Sequence, residues 1–314
     1  MKIFFLVICT LFSVLNLSAQ QTIVQYLSGT DKDHTVKWDF MCTSGRNSNK
    51  WSTIPMPSCW EMQGFGTYNY YQDKENPDEQ GLYKYSFKVT QNHRRKKVVL
   101  VFDASMTDTE VKINGSSAGA IHQGSFYQFK YDITSLISFD KANLLEVKVS
   151  KKSANASINK AERKADFWLF GGIFRPVYLE ILPTTFIERI AIDAKANGDF
   201  KMEVFSNASA TQVISAQVFD LKNNAIGKPF QVLANDTLLH YHFTNIKQWN
   251  PEEPALYNVV VSIKESGEII HSIKQRFGFR TAELRPKDGF YVNGKKVIFK
   301  EFVATESGPK QGEP

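Results

Sequence analysis

Apolar and polar residues alternate with a period of two through much of this chain. Over 143–149, Leu145, Val147 and Val149 fall on one side and Glu146 and Lys148 on the other, the pattern of a strand with one wet face. Short β-branched or aromatic runs at 82–89, 98–102, 110–113 and 175–181, separated by Asn, Gly, Asp and Ser, predict further strands of the same sandwich. After Ile113, Asn114-Gly115 supplies the positive φ angles of a tight hairpin turn. A second set follows at 187–193, 201–205, 211–220, 240–243, 257–263 and 271–277, with Tyr257, Val259, Val261 and Ile263 sharing one face. The segment 157–164 has almost no apolar face and reads as a loop.

These runs predict an all-β chain: an antiparallel sandwich over 20–183, a Pro183-Thr184-Thr185 linker, and an immunoglobulin-like sandwich over 184–281. From 282 to 314 one more strand-turn-strand unit is expected, 289–292 and 296–299 around Asn293-Gly294. A (β/α)₈ barrel takes about 250 residues, so nothing like one fits there.

The chain opens Met1-Lys2, runs apolar from Ile3 to Leu17 apart from Thr10, Ser13 and Asn16, and reaches Ser18-Ala19 before two glutamines. That reads as a secretory signal at 1–19, too short for a membrane span, and predicts an exported protein, periplasmic or extracellular. Losing the leader takes the formal charge from +6 to +5, because the leader holds one lysine and no acid. The densest basic run, Arg94-Arg95-Lys96-Lys97, is expected to be a solvated turn between strands, so nucleic acid is not an expected partner. Cys42 and Cys59 could bridge in an oxidising compartment or remain unpaired, and sequence does not choose between the two.

Motif chemistry is sparse. No Gly-x-Ser-x-Gly elbow, phosphate loop, His-Glu-x-x-His or Cys-x-x-Cys occurs, and no cofactor is implied. His240 and His242 share a strand face, but two ligands without a third give no expectation of a metal. No acid sits in a motif that marks one member of a glycosidase pair, and Glu252-Glu253 lies in a proline-bounded loop, so no catalytic residue is nominated. The most unusual segment is Asp166-Phe167-Trp168-Leu169-Phe170-Gly171-Gly172-Ile173-Phe174-Arg175. It could present aromatics and charged groups to a sugar face. Equally, its aromatics could be core, its glycines a bulge, and Asp166 and Arg175 a pair, the reading that residue physics alone favours.

At this segment the chain resembles glycoside hydrolase family 2, which contains β-galactosidases, β-glucuronidases and β-mannosidases. Pro57-Ser58-Cys59-Trp60-Glu61-Met62-Gln63-Gly64-Phe65-Gly66 resembles an early loop of that family. Gly81–Phe87, Val111–Gly115, Tyr131–Thr134 and Asn143–Val147 resemble, in order, strands of its sugar-binding domain, which implies that the sandwich over 20–183 is a jelly-roll (galactose-binding-like) one. Trp249-Asn250-Pro251, Phe277-Gly278-Phe279-Arg280 and Asp288–Lys295 resemble the end of its immunoglobulin-like domain and the start of its barrel.

The resemblance, strongest to β-galactosidases, implies that Asp166 reaches a bound sugar and that Asn69 does similar work. Trp60, Glu61, Trp168, Gly172 and Arg175 are implied to be structural. A weakly bound galactoside-like carbohydrate is the implied partner, and oligomeric state is left open. The family's catalytic glutamates lie inside its barrel, so the expected function is a truncated glycosidase inactive by itself. The alternative is a non-catalytic carbohydrate-binding or scaffold protein. After Lys300 the family continues Gly-Val-Asn/Cys-Arg-His, whereas this chain reads Glu301-Phe302-Val303-Ala304-Thr305-Glu306. Codons read one base upstream permit Lys-Gly-Val-Cys-Arg-His, so 301–314 is expected to be a frameshifted tail.

Overall fold

A computed structural model of the chain describes residues 21–70, with backbone only at 69 and 70, together with 78–164 and 168–299. The expected leader at 1–19, Asp166 and the expected tail at 301–314 lie outside the described residues. The described residues divide into two compact units, Thr22–Thr184 and Thr185–Ile298.

The first unit is a β-sandwich. Its strands are β1 (Ile23–Tyr26), β2 (Val36–Cys42), β3 (Ser52–Met56), β4 (Asn69–Tyr70), β5 (Gln80–Lys88), β6 (Lys97–Phe102), β7 (Asp108–Ile113), β8 (Ser116–Ser117), β9 (Phe129–Asp132) and β10 (Ala142–Ser150). A short helix α1 (Ala156–Glu162) precedes β11 (Trp168–Leu169) and β12 (Val177–Leu182). One sheet runs β1-β12-β6-β9, the facing one β3-β2-β5-β10-β7-β8, and β4 and β11 form a separate antiparallel pair. Between the sheets lies a core that includes Trp38, Phe40, Trp60, Tyr83, Leu100, Phe102, Leu145 and Leu179. The alternation read in 143–149 holds, since Leu145, Val147 and Val149 are buried there. The hairpin also forms where expected, with φ of 53° at Asn114 and 82° at Gly115 between β7 and β8.

The 157–164 reading is corrected: this stretch is largely helical. Asn155 caps α1 by accepting the Ser157 amide at 3.0 Å, and no residue of the helix is buried. A capped turn that faces solvent does not need the apolar stripe whose absence argued against it.

The second unit is an immunoglobulin-like sandwich. Its strands are β13 (Ile187–Ala194), β14 (Asp199–Ser206), β15 (Val213–Asp220), β16 (Ala225–Leu233), β17 (Leu238–His242), β18 (Tyr257–Glu265) and β19 (Glu268–Phe277), paired as β13-β14-β17 and β16-β15-β18-β19. Phe200 anchors the core, edge-on to Phe230 and Phe243. Tyr257, Val259, Val261 and Ile263 are buried together in the same core, as their spacing predicts. Then β20 (Ala282–Arg285), β21 (Gly289–Val292) and β22 (Lys295–Val297) make a small sheet. The β21–β22 turn uses positive φ at Asn293 and Gly294.

Candidate functional site

The site grows out of two neighbouring strands whose inward phase runs on beyond the apolar core. In β5, Gly81, Tyr83 and Phe87 point inward, and the same phase reaches back to Glu79, which is 1% exposed. In β10 it reaches forward from Val149 to Lys151, which is 7% exposed. The strands pair Gln80 with Ser150, and one step further the Lys151 amide donates to the Glu79 carbonyl at 3.0 Å. Alternation therefore delivers a lysine and a glutamate side by side into the same end of the sandwich.

Around them the loop after β3 closes. The Lys151 ammonium lies 2.7 Å from Glu61 Oε1 and 3.4 Å from Glu79 Oε1, and donates to the Thr67 carbonyl at 2.5 Å. Glu61 in turn accepts the Gly171 amide at 3.0 Å on each oxygen. Glu79 accepts the Trp60 indole N–H at 2.7 Å and the Thr67 amide at 2.8 Å. Charged groups this deep require such partners. Burial pushes the Glu61 carboxyl above its ordinary pKa, opposed by the Lys151 charge. Arg163, also buried, donates to the Phe170 carbonyl at 2.6 Å, and burial lowers its pKa.

Trp60 explains the glycines. Its indole is fully buried, and a Cβ at Gly171 would stand 2.1 Å from Cζ2, while one at Gly81 would stand 2.7 Å from Cζ3. Gly172 adopts φ 122°, exchanges backbone hydrogen bonds with Met106, and would set a Cβ 2.8 Å from the Ser58 carbonyl oxygen. The Trp-Glu loop and the Gly-Gly segment are thus two halves of one packed joint.

On this joint rests the antiparallel pairing of β4 with β11, Asn69 opposite Leu169 and Tyr70 opposite Trp168. Beside it the half-buried Tyr68 ring lies 4.2 Å from the Trp168 ring and 5.6 Å from Phe170, giving an aromatic step. The stretch carrying Asn69 is therefore brought against the stretch that follows Asp166. Arg175 is exposed, its guanidinium 5.7 Å from the Phe174 ring centre.

Trp60, Glu61 and Gly172 meet in one cluster, and Trp168 stands beside it. Sequence reasoning missed Lys151, Glu79, Arg163 and Tyr68. The signal for the first two was present, since each continues an apolar alternation with a charged residue.

Elsewhere, Cys42 and Cys59 are both free thiols, which answers the question of a bridge between them. Burial pushes their pKa values up to about 11 and about 12. Exposed His242 bonds Asp199 at 2.7 Å. Among the described residues no three potential ligands gather for a metal, and no helix is long and apolar enough to cross a membrane.

Comparison with known proteins agrees with this architecture. Residues 46–183 match the model for glycosyl hydrolases family 2, sugar binding domain, and 183–280 match that for glycosyl hydrolases family 2. A β-galactosidase of Clostridium acetobutylicum is 30% identical over 241 residues, 74% of this chain and 26% of that protein. One from Thermoanaerobacter pseudethanolicus is 27% identical over 240 residues, 73% of this chain and 32% of that protein. Among solved structures, a Bifidobacterium dentium β-glucuronidase complexed with coumarin-3-O-glucuronide superposes with TM-score 0.71 at 22% identity, covering 91% of this chain and 52% of that one. The chain spans about a quarter to just over a third of the length of the curated relatives it matches. With two successive domain models of one family matched in order across 46–280, and the two sandwiches folded accordingly, the chain belongs to glycosyl hydrolases family 2.

Proposed function

We propose that these two sandwiches serve a glycosidase acting on a β-linked hexopyranoside, galactoside or glucuronide, and that the β4–β11 pair is the wall that touches the sugar. In this reading Asp166 and Asn69 bond the sugar hydroxyls, and the step of Tyr68, Trp168 and Phe170 offers an apolar flank. The observation that carries the proposal is the pairing of residues 69–70 with 168–169, because it joins the two stretches that family resemblance assigns to sugar contact.

The chain by itself binds such a sugar weakly and does not hydrolyse it. Hydrolysis needs two carboxyl groups flanking the scissile bond, one able to protonate the leaving oxygen. Glu61 and Glu79, the carboxylates gathered at the joint, are both buried and committed to Lys151, so neither is placed for that work. Calorimetric titration with methyl β-D-galactoside and methyl β-D-glucuronide tests the binding. Weak saturable heat that disappears in Asp166→Ala supports the proposal. Unaided release of nitrophenol from an aryl β-glycoside overturns its second half, and tight, Asp166-independent binding favours a stand-alone carbohydrate-binding module. We further propose export through the 1–19 leader, which N-terminal sequencing of secreted material starting at Gln20 would support.

A further inference from the structure

We propose that Lys151 is the positioning residue of the sugar-facing wall: one ammonium, through Glu61, Glu79 and the Thr67 carbonyl, holds β4 and β11 against each other. This rests on the reading of that wall as sugar-contacting, but its geometric content stands apart.

The three N–H donors of the ammonium have three oxygen partners, Glu61 Oε1, Glu79 Oε1 and Thr67 O, each from a different stretch of chain. Two of them lead to the same residue: the carbonyl of Thr67 meets the ammonium directly, and its amide is held by Glu79. Thr67 is one residue from Tyr68 and two from Asn69, so β4 is fixed at its start. The third leads across, because Glu61 grips the Gly171 amide, two residues beyond the end of β11.

Both strands of the pair are thus tethered within two residues of their ends to one buried charge. The pair itself has only two residues in each strand, and so short a ladder cannot stand unsupported. The tether supplies what the ladder lacks. Lys151 carries this role just past the end of β10, whose Leu145, Val147 and Val149 lie in the well-packed core, so the wall inherits its placement from the rigid sheet. Removal of the ammonium would leave Glu61 and Glu79 as two buried carboxylates with nothing between them, and they would separate or take up protons. Either response releases Thr67 or Gly171.

The test uses the full chain. Lys151→Met is the direct variant, and Lys151→Met with Glu61→Gln and Glu79→Gln removes all three charges in case the single change prevents folding. Lys148→Met, at a half-buried lysine on the same strand paired with Glu110, is the control. Amide hydrogen exchange is expected to quicken at 69–70 and 168–169 in the Lys151 variants while β6 and β12 keep their protection. A role in overall stability alone would instead lower protection evenly. Affinity for the sugar that binds wild type is expected to fall about tenfold or more, the effect typical of losing a group that supports a ligand contact from behind.

Unchanged exchange at the β4–β11 amides in a folded Lys151 variant overturns the proposal, whatever happens to binding. Uniform loss of protection overturns it too. If wild type binds no sugar at all, the sugar-wall reading fails, while the exchange pattern still decides the part played by Lys151.

Discussion

Gly171→Ala isolates the packed joint beneath the candidate site. Gly171 does not adopt a positive φ, so the effect of a methyl group there is steric and not a matter of backbone strain. The new carbon would lie 2.1 Å from Trp60 Cζ2, 2.4 Å from Cη2 and 2.6 Å from Cε2. Non-bonded carbons rest at about 3.5–4.0 Å, so the ring would have to retreat by more than an ångström. It has nowhere to go: Trp60 is fully buried, and Gly81 already abuts its Cζ3 side.

Retreat would also break the 2.7 Å bond from the indole to Glu79. Overpacking of a tight core costs about 1–3 kcal/mol, and losing a hydrogen bond to a charged group about 1.5–3 kcal/mol more, so destabilisation of about 3–5 kcal/mol is expected. Urea unfolding followed by tryptophan fluorescence reports mainly on the first unit, which holds Trp38, Trp51, Trp60 and Trp168, the second holding Trp249. With a slope of about 2 kcal/mol/M, the midpoint should fall by about 1.5–2.5 M.

Gly115→Ala is the matched control. Its φ is 82° but nothing lies within 4 Å of the added carbon, so it should cost about 1–2 kcal/mol from left-handed backbone strain alone. Combining Gly171→Ala with Trp60→Phe should show strong positive coupling, since the smaller ring makes room. A Gly171→Ala midpoint equal to that of wild type would refute the packing account.

Three further outcomes are expected. Glu61 has a raised folded-state pKa, so the folded protein binds more protons than the unfolded chain between the ordinary carboxylate value and the raised one; its contribution to stability is full below the ordinary value and is lost as pH rises through the raised one. Glu61→Gln should flatten that part of the stability–pH curve, and an unchanged slope would count against the assignment. Cys42 and Cys59, held up to about 11 and about 12 by burial, should resist a disulfide-exchange dye at pH 8 in the native state and both react in urea. Fast native labelling of either would show that the burial is wrong. Asn143, fully buried, accepts from the Ser138 amide at 2.8 Å and from Asn114 Nδ2 at 2.9 Å, so Asn143→Leu should cost about 2–4 kcal/mol by thermal or urea unfolding, and a neutral result would contradict this network.

Much of the fold was legible because strand alternation is a local signal. Leu145, Val147 and Val149, and Tyr257, Val259, Val261 and Ile263, each declare a buried face through spacing alone. The Asn-Gly turns at 114 and 293 declare themselves by the φ angles they permit. Two strands went unread because that signal is weak in them: β16 is an edge strand with no buried residue, and β1 is short with mostly exposed side chains, whereas β2 went unread although Trp38, Phe40 and Cys42 alternate into the core. The helix at Ala156–Glu162 was missed because a cap, not an apolar stripe, sets it.

By itself the sequence determined the two sandwiches, the Asn-Gly turns at 114 and 293, and the identity of the segments that meet at the site. Only the tertiary structure decided what those segments hold. That Glu61 grips the Gly171 amide, that Glu79 and Glu61 share Lys151, and that Gly171 and Gly81 are slots for Trp60 are contacts across scores of residues. Alternation says which way a side chain points, but not which distant backbone it will meet. That is set by the pairing of β5 with β10 and by the path of two loops, and a buried charge is tolerated only where these converge.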